Sequence, residues 1–560
     1  MKRIIRSTIV NKHSRTLTEP VERTGAQAML YGLGLSKDDM KKPQIGVGSM
    51  WFEGNPCNTK LDILSALTKT SLSASGLLPF RFNTVGVSDG MSMGTSGMQY
   101  SLPSRDIIAD SIETIVCAQH YDGLVCIPGC DKNLPGSAMA LLRINRPGCI
   151  VYGGSMQPQR HKGQTLDIVS AFESYGKFIG GEIDVHQKDA IVQNACDSAK
   201  CGSCSGLYTA NTMAIILEVL GLMVPNGSSN MSLSDEKLGE TNAIGDIMHR
   251  LLRDDIKPRD IVTKESFMNA AKILSVVGGS TNAVIHLLAM ARNADIPFTL
   301  DDVAETANTP VLLNMKPHGQ YCMSDMYENG GTSALVRYAI EEGLINGDTD
   351  TITGNTLWDN VKDAPTAVDR TLLYSRQLPF KETSHINVLY GNMAPNGCLS
   401  KMYSEDTHHS GTVIVFDAEE DFLAALKEGN ITRDHFIVLR YQGESAGCPE
   451  MLTPTSALIG YFGHDDVPPF ATDGRFSGGS TGVLIAHLPD AYKAGSPTAR
   501  LRDGDHMEVS LTSGTIEVTT EDDFEARTSG MGPTKSLPEY TFLHRFCKHV
   551  GDIQTGFTIQ

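Results

Sequence analysis

Short apolar runs alternate with longer stretches of helical periodicity through the first two-thirds of the chain. Continuous apolar segments at 44–50 (QIGVGSM) and 122–128 (DGLVCIP) have the length and content of buried strands. Segments 61–76, 134–145 and 278–294 instead repeat apolar residues at helical spacing, the last with Ser280 or Thr281 as its N-cap. This alternation is typical of a parallel sheet with helices packed on it, and we expect an α/β fold.

The pattern changes after about residue 360. Segment 362–385 contains prolines and has weak periodicity, which indicates a linker, and strands become frequent beyond it. Segment 506–520 (HMEVSLTSGTIEVTT) predicts a hairpin that turns at Ser513-Gly514. Because 560 residues are too many for one core, we predict two domains: an N-terminal α/β domain over 1–370, and a smaller, strand-rich, β-barrel-like domain over 371–560.

Composition and charge narrow the class of protein. A hydrophobic content of 41% and a charged content of 20% are ordinary for a soluble globular enzyme. The net charge of −18 argues against a nucleic-acid partner, which requires a basic surface. No run of about 18 apolar residues exists, so we expect no membrane span. The basic N-terminus (MKRIIRSTIVNKHSR) lacks the apolar stretch of a secretory signal. We expect a cytoplasmic protein, with the mitochondrial matrix as the alternative.

Twelve cysteines are scattered along the chain, and their spacing is not that of a disulfide scaffold. Four are expected to be small buried side chains: Cys117, Cys126, Cys149 and Cys547. Three others lie in glycine-rich loops, where packing alone does not account for them: Cys57, Cys130 and Cys204.

Several of these loops share one design, in which an apolar strand is followed by glycine and a metal-competent residue. They are GNPCN (Cys57), GVSDGMSMG (Asp89), PGCDKN (130–132) and CGSCSG (Cys204). In open α/β sheets ligands collect at the carboxyl ends of strands, so distant loops can converge there. Thiolates suit an iron–sulfur cluster, and the carboxylates Asp89 and Asp131 suit magnesium. Because Cys130 and Asp131 are adjacent, the two centres would lie close together.

Spacing alone leaves other interpretations open. No CxxCxxC run occurs, and CGSC (201–204) is also the spacing of a redox pair or of half a zinc site. GSCSG resembles a nucleophile elbow, which would make Cys204 the nucleophile of a hydrolase. By itself, Lys132 would be interpreted as a surface salt bridge and Ser477 as a turn residue. An iron sensor that binds nucleic acid is disfavoured by the net charge of −18.

A set of motifs in a fixed order resembles the dihydroxy-acid, 6-phosphogluconate and sugar-acid dehydratase family. The resemblance runs from about residue 10 to the C-terminus. It is carried by WFEGNPCN, VSDGMSMGTSGMQYSLPSRDIIADSIE, PGCDKNLPGSAMA, SGLYTANTMA, GGSTNAVIHLLAMA, PEMLTPTSALIG and ATDGRFSGGSTG.

The resemblance assigns roles to particular residues. Its cluster ligands fall on three cysteines, leaving one iron open as a Lewis acid for a hydroxyl leaving group: Cys57, Cys130 and Cys204. Its magnesium ligands fall on three acids and on a lysine that carries a carbamate: Asp89, Asp131, Glu450 and Lys132. Its base falls on Ser477, whose alkoxide needs a nearby cation. The implied reaction removes the proton on carbon 2 and the 3-hydroxyl, and the enol tautomerises to a 2-keto acid without a nicotinamide or flavin.

The resemblance also implies a substrate and an assembly. YTANTM and EMLTPTSA are similar to the branch that acts on 2,3-dihydroxy-3-methyl acids in valine and isoleucine synthesis. A sugar-acid dehydratase, acting on an aldonate or on 6-phosphogluconate, is the alternative. The expected partners are a small dihydroxy acid and a second copy of the chain, as a homodimer.

Three departures from the family pattern leave details open. Segment 194–206 (NACDSAKCGSCSG) is longer than usual, so Cys196 or Cys201 could replace Cys204 as a ligand. The loop YQGESAGCPEM is shortened and carries Cys448, which could alter substrate or inhibitor preference. Thr481 stands where a histidine is common. We expect a 2Fe–2S cluster, with 4Fe–4S as the alternative.

Overall fold

The computed structural model describes residues 10–196, 201–366, 368–464, 466–528, 532 and 537–560. Most of the basic N-terminal segment, and with it the question of a targeting sequence, lies outside these ranges. None of the helices in the described parts of the chain has both the length and the apolar character that crossing a bilayer requires.

A four-stranded parallel sheet organises the first part of the chain, in the order β2-β1-β3-β4. Its strands are short: β1 Gln44–Ser49, β2 Leu78–Asn83, β3 Gly123–Ile127 and β4 Gly148–Ile150. Strands β1, β3 and β4 are buried, as the apolar runs at 44–50 and 122–128 predicted for β1 and β3, whereas the edge strand β2 is only partly buried. The helices before and between them are α1 Arg15–Thr18, α2 Thr24–Gly32, α3 Leu61–Ala74, α4 Asp89–Ser92, α5 Ser101–Ala118 and α6 Asn133–Ile144. Because the strands are parallel, the loops that follow β1, β2 and β3 all leave from one edge of the sheet.

A mainly helical region follows, where the sequence had suggested continued alternation with strands. It starts with the small hairpin β5 Gln159–His161 and β6 Gln164–Leu166. Its helices are α7 Ile168–Ile179, α8 Val185–Gln193, α9 Thr209–Val219, α10 Asp235–Asp254, α11 Pro258–Ile261, α12 Lys264–Val277, α13 Asn282–Asn293, α14 Leu300–Ala304, α15 Met323–Glu328, α16 Gly331–Glu341 and α17 Leu357–Val361. Helices α9 and α13 are almost entirely buried, which explains their unbroken apolar runs.

The C-terminal part is built around a closed eight-stranded barrel in the order β10-β12-β14-β8-β7-β16-β15-β9, which confirms the expected barrel. The strands are β7 Ile386–Gly391, β8 Ala394–Lys401, β9 His408–Phe416, β10 His435–Leu439, β11 Glu450–Met451, β12 Phe470–Thr472, β13 Arg475–Phe476, β14 Leu484–Ala486, β15 His506–Ser510 and β16 Thr515–Thr519. Strands β11 and β13 form a separate two-stranded parallel ladder. The helices are α18 Glu419–Lys427, α19 Thr453–Phe462, α20 Pro497–Arg500 and α21 Phe542–His549.

Two glycines allow the helical region and the barrel region to pack closely through α7 and α19. A β-carbon on Gly176 would lie 2.3 Å from the Ala457 carbonyl oxygen, and one on Gly460 would lie 2.5 Å from the Glu173 carbonyl oxygen. These backbones can therefore approach only because both residues lack a side chain. The contact fixes α19, and with it strand β11, against the N-terminal part of the chain.

Two of the four cysteines expected to be buried are not. Cys126 and Cys149 are buried in strands β3 and β4, but Cys117 is exposed and Cys547 is half-buried. Both errors have one cause: each cysteine follows the last buried residue of its helix, Val116 in α5 and Phe546 in α21. A step of one residue turns a helix by about 100°, away from the buried face.

The structure distinguishes the two residues expected to cap α13. Thr281 occupies the N-cap position, but its side chain makes no capping hydrogen bond. The Ser280 hydroxyl instead accepts from the Asn282 backbone N–H at 3.2 Å.

Candidate active site

Three adjacent parallel strands present metal-competent side chains at the same edge of the sheet. Strand β1 is followed by the loop with Cys57, β2 by Asp89 at the start of α4, and β3 by residues 130–132, which precede α6. Gly129 makes their convergence possible, because a β-carbon there would lie 2.5 Å from the Cys57 carbonyl oxygen. The Cys57 loop can thus pack directly against the loop of Cys130.

Asp89, Asp131 and Glu450 form a cluster of carboxylates around Lys132. One oxygen from each carboxylate lies within 4.8 Å of the others. The Lys132 ammonium donates to Asp89 Oδ2 at 2.5 Å and to Glu450 Oε1, and it lies 3.9 Å from Asp131 Oδ2. Lys132 is 1% exposed, so its interpretation as a surface salt bridge is wrong.

The electrostatics of this cluster favour an additional cation. Burial, together with the nearby carboxylates of Asp89 and Glu450, raises the pKa of Asp131 well above its usual range. Burial opposes the charged form of Lys132, but Asp89 and Glu450 outweigh it and raise the pKa of Lys132. Glu450 Oε2 is buried and has no hydrogen-bond partner. A hard divalent ion bound by these oxygens would remove the repulsion and satisfy the free oxygen.

Arg475 is a second cationic partner of Glu450, at the same carboxylate oxygen that accepts from Lys132. Its Nη1 donates to Glu450 Oε1 at 2.6 Å and to Asn282 Oδ1 at 2.7 Å, and its Nε donates to the Cys448 carbonyl at 2.6 Å. Arg475 and Asn282 are both fully buried. Arg475 therefore joins the shortened loop at Cys448, the ligand candidate Glu450 and the start of α13 in one network.

Three thiols meet beside the carboxylates. The Cys57 thiol forms hydrogen bonds with Cys130 and Cys204, and these contacts raise the pKa of Cys57 well above its usual value. The contact with Cys57 in turn lowers the pKa of Cys130. The structure thus brings together cysteines that are far apart in sequence, in a partly buried position where bound iron would offset the repulsion between thiolates.

The alternative thiols lie near this group but are less enclosed. Cys196 is exposed and Cys201 is half-buried. The Cys201 carbonyl accepts from Ser232 Oγ at 2.8 Å. The contacts between thiols favour Cys204 over these two as the partner of Cys57 and Cys130.

Ser477 lies in a glycine-rich turn directly after strand β13. Its backbone N–H donates to the Met451 carbonyl at 3.3 Å, and its hydroxyl accepts from the Gly479 N–H at 3.4 Å. A β-carbon on Gly478 would lie 2.4 Å from the Thr209 nitrogen. The turn therefore packs on the start of α9, between the strand that carries Glu450 and the segment that follows Cys204.

A small apolar cluster flanks the carboxylates. Met93 follows the helix that begins at Asp89, and Leu452 follows strand β11 with Glu450. These two residues and Met98 are buried together, with Phe172 of α7 packed against them. This apolar cluster thus includes residues close in sequence to two of the three carboxylates, Asp89 and Glu450.

Sequence reasoning alone overlooked several supporting residues. Arg475 and Asn282 stand inside motifs that carry the resemblance, GRFSGGS and GGSTN, and a charged residue amid glycines was the available signal. Ser101, whose hydroxyl donates to Asp89 Oδ1 at 2.8 Å, gave no such signal.

Comparison with known proteins places these features in a family. Residues 42–360 match the dihydroxy-acid/6-phosphogluconate dehydratase N-terminal family model, and residues 371–557 match the corresponding C-terminal model. The chain is 45% identical over 555 residues to a dihydroxy-acid dehydratase of Francisella tularensis subsp. novicida (strain U112), covering 98% of both chains.

Eukaryotic relatives are similarly close. The mitochondrial dihydroxy-acid dehydratase of Schizosaccharomyces pombe is 45% identical over 559 residues, covering 98% of this chain and 93% of the relative. The chloroplastic dihydroxy-acid dehydratase of Arabidopsis thaliana is 42% identical over 555 residues, covering 98% and 91%. The family models and the relatives define an enzyme of the hydro-lyase class, a dehydratase. The chain belongs to the dihydroxy-acid/6-phosphogluconate dehydratase family.

Proposed function

We propose that this enzyme dehydrates 2,3-dihydroxy-3-methyl carboxylic acids to 2-keto acids in branched-chain amino-acid biosynthesis. Its substrates would be 2,3-dihydroxyisovalerate and 2,3-dihydroxy-3-methylvalerate. The observation that carries the proposal is the contiguous run Cys130-Asp131-Lys132, which joins a group of three thiols to a group of three carboxylates. Thiolate and carboxylate ligands this close together could hold two different metals, each of which would bind oxygen atoms of the same small substrate.

Two metal centres fit these residues. Cys57, Cys130 and Cys204 would hold the iron–sulfur cluster, and three carboxylates with carbamylated Lys132 would hold magnesium: Asp89, Asp131 and Glu450. When bound, the iron with an open position supplies a Lewis acid for the 3-hydroxyl, and magnesium polarises the substrate carboxylate and 2-hydroxyl. The orphaned Glu450 Oε2 and the crowded thiols are the local features that support this assignment.

Lys132 would act as an anionic ligand rather than as an ammonium. Its amine nitrogen, once deprotonated, adds to carbon dioxide to form a carbamate and releases a proton. As a cation, Lys132 competes with a metal for Asp89 and Glu450. As a carbamate it would join them as a ligand. Its burial would protect the carbamate from water.

Ser477 would be the base that removes the proton from carbon 2. A serine hydroxyl is a weak base, so its alkoxide must be stabilised by nearby positive charge. The strand paired with β13 carries Glu450, a proposed magnesium ligand, so the bound ion would supply that charge. The Gly479 N–H donates to the Ser477 hydroxyl oxygen, which holds it and favours its anionic form.

The apolar cluster supports the branched aliphatic substrate over a sugar acid. Met93, Met98, Leu452 and Phe172 offer no hydrogen-bond donor to a chain of hydroxyls. A site built for a polyol must supply polar partners, because an unpaired hydroxyl is costly to bury. A wall of this kind would instead accommodate the methyl groups on carbon 3.

Substituting Ser477 tests the proposed chemistry. Ser477→Ala should keep the visible absorption and the bound metal but reduce turnover of 2,3-dihydroxyisovalerate by about 10²–10⁴-fold, the usual contribution of a general base. Ser480→Ala, in the same turn, is the control. It removes a hydroxyl bonded to the Met451 carbonyl and should lower thermal stability while retaining turnover. Normal turnover in Ser477→Ala would exclude Ser477 as the base.

Turnover rates with different substrates test whether the enzyme belongs to the dihydroxy-acid branch or to the sugar-acid branch of the family. Wild-type enzyme should turn over 2,3-dihydroxyisovalerate in strong preference to gluconate, 6-phosphogluconate or arabinonate. The reverse preference would assign the sugar-acid alternative. We further propose a homodimer, which the mass of the anaerobically purified protein in solution would test.

A further inference from the structure

A large cavity lies next to the turn of Ser477 but outside the proposed metal site. Its volume is about 1120 Å³, and it lies between α7, residues 314–320 and the barrel loops around 403–409 and 481–483. Its lining includes Asp167, Tyr208, His318, Tyr403 and Thr481, but none of the carboxylates around Lys132. The proposed dehydration therefore leaves this cavity without a role.

Several buried polar groups without partners belong to residues that line this cavity or pack against its lining. His318, His385 and Tyr403 form what we term the imidazole–phenol cluster. Ring centroids lie 3.8 Å apart between His318 and Tyr403, and 4.3 Å apart between His318 and His385. Among the described residues, no hydrogen-bond partner exists for the nitrogens of either ring, for the Tyr403 hydroxyl or for the Thr481 hydroxyl. So many unsatisfied groups beside one cavity are unusual, because buried polar atoms are normally paired.

Thr481 belongs to the same end as Tyr403. Strands β8 and β14 are antiparallel with Lys401 opposite Leu484. Tyr403 follows Lys401 by two residues and Thr481 precedes Leu484 by three, so both leave the paired strands at the same end of the barrel. His318 and Tyr403 form one corner of the cavity, Thr481 also lines the cavity, and His385 packs against the first two with 1% of its surface exposed.

The charge behind this corner is positive. Lys381 and Lys401 are buried, and both lie close enough to lower the pKa of His318 and of His385, adding to the larger effect of burial. Burial alone lowers the pKa of Lys401 to about 7. Asp167, an acid of the cavity wall, is already engaged by Lys316 at 3.2 Å and by the Tyr208 hydroxyl at 2.7 Å. Two other acids line the cavity: Asp406 is exposed to solvent, and burial raises the pKa of Glu173, which disfavours its charged form. The two buried lysines therefore disfavour a metal cation at this corner and favour an anion.

We propose that this corner of the cavity binds a small oxyanion, a phosphate or a carboxylate, through His318, Tyr403 and Thr481. Imidazole N–H and hydroxyl groups are suitable donors to such an anion, and the buried lysines complement its charge. The site is distinct from the metal centre and does not depend on the identity of the substrate.

The same site is connected to the catalytic turn. The Lys401 ammonium donates to the Gly478 carbonyl at 3.3 Å, directly after Ser477, and Thr481 lies four residues beyond Ser477 in the same loop. An anion that engages Thr481 or draws Lys401 toward the cluster acts on the loop that positions the proposed base. Occupancy would therefore alter turnover as well as being measurable by itself.

Calorimetric titration of the purified full-length enzyme with inorganic phosphate, and separately with propionate, tests the proposal. At least one of the two anions should bind. Binding of inorganic phosphate would indicate a phosphate ligand, and binding of propionate would indicate a carboxylate ligand. Tyr403→Phe removes a single hydroxyl and should weaken that binding about ten-fold, as expected for a hydrogen bond to a charged group. Tyr374→Phe is the matched control, because it removes a tyrosine hydroxyl from the lining of the same cavity but outside the imidazole–phenol cluster, and it should bind the anion as wild type does.

Three results would overturn the proposal. These are the absence of binding by both anions, equal affinities of wild type and Tyr403→Phe, and equal weakening by Tyr374→Phe. Thermal unfolding of each variant, recorded alongside, identifies any variant that has lost its fold. In that case His318→Gln replaces Tyr403→Phe as the test substitution. Failure here would leave the dehydratase proposal intact, since neither the titration nor the substitutions require iron, magnesium or turnover.

Discussion

Glu450 and Arg475 face each other on paired strands, and Arg475 Nη1 donates to Glu450 Oε1 at 2.6 Å with both side chains fully buried. The pair lies where the N-terminal region meets the barrel region, because Arg475 also holds Asn282 of α13. The position of one metal-ligand candidate is thus set by contacts from both parts of the chain.

Removing this arginine should be costly. Arg475→Met leaves Glu450 with one cationic partner fewer in a buried site, and we expect a loss of about 3–5 kcal/mol in the free energy of unfolding. Magnesium affinity should also fall, since Glu450 would no longer be oriented. Arg433→Met is the control: Arg433 pairs with Asp466 on the surface, and its loss should cost less than about 1 kcal/mol. Equal urea-unfolding midpoints for the two variants would contradict this role of Arg475.

Lys132→Arg should abolish the carbamate and most magnesium affinity, because a guanidinium keeps its proton and does not add to carbon dioxide. Wild-type enzyme loaded with magnesium under ¹³C-labelled carbon dioxide should give a carbamate signal by NMR, and Lys132→Arg should not. Lys237→Arg provides a control at another buried lysine, one paired with Glu240, and should retain the signal. A carbamate signal that persists in Lys132→Arg would show that the modified lysine lies elsewhere.

The thiol assignment can be checked one cysteine at a time. Cys204→Ser should lose bound iron and its visible absorption, because Cys204 contacts Cys57 directly. Cys201→Ser and Cys196→Ser should retain both, with Cys126→Ser as a control at a buried cysteine of strand β3. Iron loss in Cys201→Ser together with iron retention in Cys204→Ser would mean that the extra thiol has replaced the expected ligand.

Lys401 should make stability depend on pH. Burial lowers its pKa from 10.5 to about 7 in the folded state. As pH falls from about 10 to 7, the unfolded chain takes up a proton at this lysine before the folded chain does. The wild type should therefore lose stability relative to Lys401→Met over that range, by up to about 5 kcal/mol, and the difference should level off below pH 7.

Urea unfolding at several pH values between 7 and 10 measures this difference. Lys427→Met, at an exposed lysine of α18, is the control and should show no change with pH. A wild-type stability that rises relative to Lys401→Met as pH falls would mean that Lys401 gains a buried anionic partner that the structure does not contain.

Local patterns predicted much of the fold and indicated the main site residues. The apolar runs of β1 and β3, the helix at 61–76 and the hairpin at Ser513-Gly514 follow from periodicity and turn chemistry, which are properties of short segments. The candidate ligands were found because glycine-rich loops follow strands and because the motifs resemble a known family. Position 117 shows the limit of such patterns, since a single step around a helix decided its exposure.

The sequence did not predict contacts between residues that are far apart along the chain. Nothing near Arg475 indicates that it would hold Glu450 and Asn282 at once. The burial of Lys132 likewise depends on Glu450, which is 318 positions away. The imidazole–phenol cluster joins residues of the helical region to residues of the barrel, so no single motif contains it.

The most direct test of the central claim, that thiols and carboxylates from distant loops hold two metal centres in one site, is the visible spectrum of anaerobically purified wild-type protein. Iron and sulfide should be counted on the same sample. We expect a coloured protein with about two irons and about two sulfides per chain, whose colour and dehydration of 2,3-dihydroxyisovalerate are lost together in air or chelator. A colourless, iron-free protein with full turnover would contradict it.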